Sequence, residues 1–452
     1  MGFTISADVE HDQGMATTMT ASEAASLIRP VDTVGFGLGP ANPHTLFQAL
    51  SERVDFEDLV LGGALVLGLF ELFGRPGVRY RSGFFGPAER YYASVGAHVE
   101  LIPAGFRQFG PILEQFCPRV MMVQATVPDE RGRVSLGLHH GATREELLRA
   151  AKDPDRLLIV ETNPRLPWTY GLHGYDHMLE VADIDVLVPG EMDPFELEET
   201  PGGAVEEAIA ANALELISET ATLQTGIGGI PTIVATKLAE RPGGAYGVHS
   251  EMMTDGLMRL HKAGKVTNAH KGVFDGVSVT TFALGTRELY DWLDHNAEVA
   301  FAPVGLMNDP TVIGQNRDLV SINGAIMIDL YGQIVADAVD GRQISGVGGH
   351  EDFISGADLS LDDRSLVCLG SVVEVAGERR TRIVPELPAG AVVSTPRHHT
   401  GVVVTEHGSA DLRGLTVSER ARALVEIAHP DFRAELSEAA GRLGPPGARS
   451  LL

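Results

Sequence analysis

TATLQTGIGGIP, residues 220–231, reads as a strand that runs into a glycine-rich turn and then, at Pro231, into the helical TIVATKLAERP. Proline suits the first turn of a helix, where its missing N–H loses no partner. The same grammar stands at VDTVGFGLGP, residues 31–40: a strand, a glycine turn, then Pro40 ahead of the helical HTLFQALSERV. One such opening in each half of the chain predicts an α/β fold made of two related open α/β domains.

The lengths agree with that reading, because 452 residues exceed one ordinary domain. Residues 1–20 are polar and without period, a mobile tail by expectation. A first domain then covers 21–197. EETPGGAVEEAIAANALELI (198–217) opens on a PGG break and continues as a helix, so the second domain is expected to cover 198–452. Strands are expected in VMMVQA and RLLIVET of the first domain, and in VSVTTFAL, VSINGAIMIDL, SLVCLGSVV, RIVPEL and GVVVTEHG of the second.

Charge removes several function classes. With 35 basic against 61 acidic residues the formal charge is −26, which repels a phosphate backbone and argues against nucleic acid. An anionic ligand must therefore be held locally, by backbone amides or a few arginines. The longest apolar run, LVLGGALVLGLF (59–70), is too short and glycine-rich to span a bilayer, and no signal pattern opens the chain, so a cytoplasmic protein without a membrane partner is expected. Cys117 and Cys368 stand far apart in apolar surroundings and are expected as reduced core residues.

Three glycine or asparagine clusters are candidate binding loops. GIGGIP (226–231) brings backbone amides and a helix start to one point, which suits a phosphate or an acyl oxygen. Its spacing is neither GxGxxG nor a P-loop, so a plain turn is an equal reading. SGVGGHEDF (345–353) and NGAIMIDLYGQI (323–334) likewise admit a loop and a strand as their simplest readings. The stretch YGVHSEMMTDG (246–256) sets Glu251 between His249 and Met252–Met253. A metal site using His249, Glu251 and Asp255 is conceivable, but no second histidine stands nearby to complete it, so no metal is expected. A solvated turn does not explain the methionines. Apolar neighbours strip water from a carboxylate, which raises its pKa and makes it a better nucleophile.

GVHSEMMTDG resembles the GxHxEMxxDG signature of the acetyl-CoA hydrolase/transferase family, within the class I coenzyme A transferases. LQTGIGGIP, NDPTVIGQNRDLVSINGAIMIDLYGQI, SGVGGHEDFISGA, STPRHHTGVVVTEHGSADLRG and IAHPDFRAEL resemble further family blocks in family order, as do VQATVPDERGRVSLG and VETNPRLPWTYG. The resemblance implies two α/β domains with the active site at their interface and Glu251 as the nucleophile that carries a glutamyl-CoA thioester. It implies Asn308 as an amide stabilising the oxyanion. Gly226, Ile227, Gly228, Gly229 and Ile230 would lie beside the coenzyme, and Asn323, Gly346, Gly348 and Gly349 would contact it further. Coenzyme A and acyl-CoA are then substrates, with a small carboxylic acid as the other partner and no tightly bound cofactor; dimers are common in the family. His350, Glu351 and His407 depart from the family pattern, where a Gln, an uncharged residue and a Tyr are expected. If those side chains line the acyl pocket, the acyl group differs from acetate, and a histidine there would activate water. Hydrolysis of acyl-CoA by the same glutamate is therefore the alternative, and a non-catalytic acyl-CoA sensor the third.

Overall fold

The apolar run VMMVQA forms the strand Val120–Ala125, every residue of it buried, in a computed structural model that describes residues 16–199 and 201–443. It pairs in parallel with Leu157–Thr162 on one side and Val31–Phe36 on the other. Strands covered on both faces need no polar alternation, which is why these segments read as continuous apolar runs. The sheet has eight strands in the order Thr17–Thr18, Val186–Pro189, Leu157–Thr162, Val120–Ala125, Val31–Phe36, Asp58–Gly63, Val78–Ser82 and His98–Leu101, all parallel.

A second sheet of six strands takes the order Gly247–Val248, Thr222–Thr225, Leu319–Gly324, Arg364–Cys368, Val402–Thr405 and Gly408–Asp411, parallel except for the last pair. The strand–turn–helix reading at 220–231 is realised as Thr222–Thr225 followed by the helix Gly229–Glu240, which packs between Ala204–Leu214 and Asp255–Lys262. At 31–40 the strand is Val31–Phe36, but Pro40 lies in a short 3-10 turn, Gly39–Ala41, and the helix begins only at His44. The long helical stretch near the end divides at Pro430 into Val417–Glu426 and Pro430–Arg442.

The halves are joined by short ladders. Tyr170–Gly171 from the first half adds to Val299–Phe301, itself paired with Ser278–Thr280, and Gly105 bridges to Gly348. Among the described residues no helix is long and apolar enough to cross a membrane.

Two expectations change. Residues 1–15 of the expected tail lie outside the described residues, but Thr17–Thr18 forms the sheet's edge strand and Thr20 caps the helix Ala21–Ser26, so the fold starts earlier than expected. Cys368 is buried, but Cys117 is exposed. It ends the helix Phe109–Phe116 in a left-handed conformation, φ 45°, which turns its side chain outward; the apolar neighbours that suggested a core position belong to the helix and to the next strand.

Candidate active site

The chain reaches Glu251 through an over-determined backbone. Gly247–Val248 pairs with Thr222–Thr225, and His249 N–H continues the ladder to Leu223 O at 3.1 Å. Buried Lys271 sends its Nζ to the carbonyls of Val248 and Val277, both at 2.8 Å. The Glu251 carbonyl accepts from Thr281 N at 3.0 Å, Phe282 N at 3.2 Å and Thr280 Oγ1 at 3.0 Å. Thr281 is in turn held by the first half, whose His140 N donates to its carbonyl at 2.9 Å. Thr254 then caps the helix Asp255–Lys262. The methionines that flank Glu251 are buried, so the side chain emerges from a dry, fixed base.

Its carboxylate meets Asn308, whose Nδ2 donates to Glu251 Oε2 at 2.6 Å. The second contact is backbone. A Cβ on Gly349 would stand 2.0 Å from Glu251 Oε2 and 2.3 Å from Asn308 Nδ2, so only glycine lets this turn close on the carboxylate. Gly348 before it adopts φ 55°, a left-handed conformation that also favours glycine. Gly349 is the N-cap of the helix His350–Ala357, so the carboxylate sits by a helix N-terminus, whose dipole favours negative charge.

Asp352, in the first turn of that helix, is 6% exposed and accepts from the same Asn308 Nδ2 at 3.3 Å. Arg107, from the first half, reaches Asp352 Oδ1 at 2.7 Å, and Phe106 N donates to Gly348 O at 2.9 Å. Burial raises the Glu251 pKa to about 7, against the Asn308 hydrogen bond and with help from the Asp352 charge. Burial likewise raises Asp352 to about 6, with Arg107 and Asn308 opposing. Burial that raises a carboxylate pKa in this way favours nucleophilic use near neutral pH.

The sequence candidates thus fall into two groups. Glu251, Asn308, Gly348 and Gly349 come together. Gly226, Ile227 and Gly228 line a separate cavity of about 160 Å³ with Thr254, Asp255, Gly256, Leu284 and Gly285. Asn323 lies beside that loop, its Nδ2 3.3 Å from Gln224 Oε1. Gly229 packs against Gly202 and Ile230 against the core. The groups adjoin through Ser250, whose Oγ donates to Thr225 O at 3.2 Å. The backbone packed on the Glu251 carboxylate is therefore 348–349, not 226–230. Gly346 lies against Gly83 and Phe84 of the first half.

The departures from the family pattern lead elsewhere. Glu351 pairs with Thr395 and His399. The His350 ring is buried with an unpartnered Nε2, and burial lowers its pKa to about 4, so it is neutral. His407 stands 5.5 Å from the His429 ring in the turn after Val402–Thr405. His249 engages Met307 O and Asn316 through its two ring nitrogens, and Thr286 binds Asp255. Sequence reading missed Asp352, although it stands three residues after Gly349, and missed Arg107, which carries no local signal.

The family model described as acetyl-CoA hydrolase/transferase C-terminal domain matches residues 285–440. The 4-hydroxybutyrate coenzyme A transferase of Clostridium kluyveri is 36% identical over 92% of this chain and 96% of its own length. The butyryl-CoA:acetate CoA-transferase of Anaerostipes caccae is 34% identical over 92% and 94%. The crystal structure of RipA from Yersinia pestis superposes with a TM-score of 0.82 at 30% identity, over 94% of this chain and 97% of that one.

Proposed function

The chain belongs to the acetyl-CoA hydrolase/transferase family and is a CoA-transferase; we propose that it moves coenzyme A between an acyl-CoA and a short-chain carboxylic acid through a thioester on Glu251. The observation that carries the mechanism is the Glu251 carboxylate clasped by Asn308 and the Gly349 turn, where burial raises its pKa to about 7.

One oxygen of Glu251 attacks the acyl carbon of the thioester. The tetrahedral oxyanion collapses by expelling the coenzyme thiolate, which leaves a mixed acyl-glutamyl anhydride. The thiolate then attacks the glutamyl carbonyl, releasing the first carboxylate and forming glutamyl-CoA. A second carboxylate attacks that thioester and the steps run in reverse. One carboxylate and one thioester enter, and one of each leaves, so no net proton moves. A thiolate, with a conjugate acid near pKa 8.5 if it resembles cysteine, needs no general acid. The site agrees: its donor to Glu251 is the Asn308 side-chain amide. Donors aimed at an oxyanion contribute about 3 to 4 kcal/mol each, and Asn308 Nδ2 is the donor that meets the carboxylate. The anhydride is high in energy, so binding of the remote nucleotide end of the coenzyme must offset it. The open loop at Gly226–Gly228, with Ile227 exposed and a helix start behind it, together with Asn323, is the place for the coenzyme in this reading.

The test is ping-pong exchange. Incubation with acyl-CoA alone should add coenzyme A to a peptide containing Glu251, detected by intact and peptide mass, and a labelled carboxylate should discharge it. Release of free coenzyme A at the same rate with and without carboxylate would instead establish hydrolysis. We propose in addition that the protein is cytoplasmic and a homodimer; light scattering tests the assembly.

A further inference from the structure

Asn308 is fully buried, its Oδ1 has no hydrogen-bond partner, and its Nδ2 is shared by two carboxylates, Glu251 and Asp352. A primary amide has two N–H donors, and both are committed here. During turnover, as proposed above, Glu251 becomes an ester-like acyl group and loses its charge. Asp352 does not react, so it is the acceptor that persists through both half-reactions. Asp352 would also repel the nucleophile it stands beside, and its balancing charge comes from the other half of the chain. Arg107 reaches it from the segment whose Gly105 and Phe106 are bonded to Gly348. Gly348 is the residue before the turn that closes on Glu251.

We propose that Asp352 and Arg107 are positioning residues: Asp352 keeps the Asn308 amide turned with its N–H groups toward the reacting carboxylate, and Arg107 neutralises Asp352 only when the two halves are docked. Neither touches the reacting atoms. The pair makes the nucleophile of one half dependent on a cation of the other, so an undocked molecule has a less reactive Glu251. The other charges facing the pair are acidic. Glu351 lies beside Asp352 on the same helix, and Asp309, in the turn after Asn308, feels Arg107. Arg107 is therefore the cation that decides the balance.

This inference rests on the transferase reading, and its test separates the two. Wild-type exchange and the Glu251 adduct are measured first; their absence ends the transferase reading and leaves nothing to position. With wild-type turnover in hand, the acid limb of kcat/KM is followed in Arg107→Gln, Arg107→Lys and Asp352→Ala. Loss of the cation favours protonated carboxylates, so Arg107→Gln should move the limb up by about one pH unit, and Arg107→Lys should restore it. Asp352→Ala removes the repelling charge and should move the limb down, while kcat falls about 10²-fold because the Asn308 amide is no longer held. A merely structural role lowers activity without opposite displacements. An unmoved limb in Arg107→Gln, or displacement in the same direction in both variants, overturns the proposal. Arg107 is 46% exposed, so Arg107→Gln, which leaves no buried cavity, is the variant that decides the matter if Asp352→Ala does not fold.

Discussion

Replacing Gly349 by alanine adds one methyl group to the most crowded point of the site. The backbone there, φ −95° and ψ 9°, accepts any residue, so the substitution introduces no conformational strain of its own. The methyl carbon would stand 2.0 Å from Glu251 Oε2 and 2.3 Å from Asn308 Nδ2, against an ordinary contact of about 3.5 Å. Something must move by more than ~1 Å. Glu251 cannot shift at its backbone, where three donors hold its carbonyl, and Asn308 is enclosed. The carboxylate must therefore rotate away or the helix His350–Ala357 must retreat. Either change disturbs the seat in which Asn308 holds the nucleophile. A displacement of that size costs about 10²-fold in rate, while overpacking costs about 1–3 kcal/mol of stability, so the protein should melt earlier but cooperatively. Exchange kinetics and the rate at which the coenzyme adduct appears on Glu251 measure the effect. Gly441→Ala, in the helix Pro430–Arg442 with no atom near the added methyl, is the control and should match wild type. If Gly349→Ala keeps more than about half of the wild-type kcat, well outside the expected loss, then the clasp on the carboxylate does not matter for catalysis.

Glu251→Gln should abolish both exchange and adduct, because an amide oxygen is not a nucleophile for a thioester; turnover by this variant would remove Glu251 from the mechanism. The same substitution should affect stability with a definite sign. The Glu251 pKa rises from 4.5 unfolded to about 7 folded, so the unfolded chain releases its proton first and stability falls as pH rises between those values. Glu251→Gln should accordingly melt above wild type at pH 8 and level with it at pH 4, by calorimetry; equal melting at both would contradict the desolvation. Wild-type kcat/KM should decline as pH drops below about 7, and a limb at an ordinary glutamate value would show that the carboxylate is solvated in the free enzyme. Asn308→Ala should lower kcat by about 10²–10³-fold and move the acid limb upward, since its hydrogen bond holds the Glu251 pKa down; a loss confined to KM would assign Asn308 to binding alone.

What the sequence made legible is what a backbone constraint imprints on residue type. A parallel strand buried on both faces must be apolar, so Val120–Ala125 and Leu157–Thr162 could be read directly. A turn that closes on a ligand or a carboxylate must be glycine, so 226–229 and 348–349 stood out, although which turn meets Glu251 did not. His44 and Cys117 show the limit of that logic. A proline in the first turn can start a 3-10 segment as readily as an α-helix, and an apolar neighbourhood does not tell which way a left-handed residue turns its side chain. Side-chain partners leave no imprint at all. Asn308, Asp352 and Arg107 are respectively 57, 44 and 245 residues from the groups they bind, and their types are common on any surface. Their meaning arises only when two sheets meet. In a chain with a net charge of −26, that meeting has an electrostatic consequence: two carboxylates are forced together inside an already acidic molecule, and one arginine from the opposite half offsets them. The nucleophile's reactivity is therefore a property of the assembled interface, and the motif that announced it supplies only the oxygen.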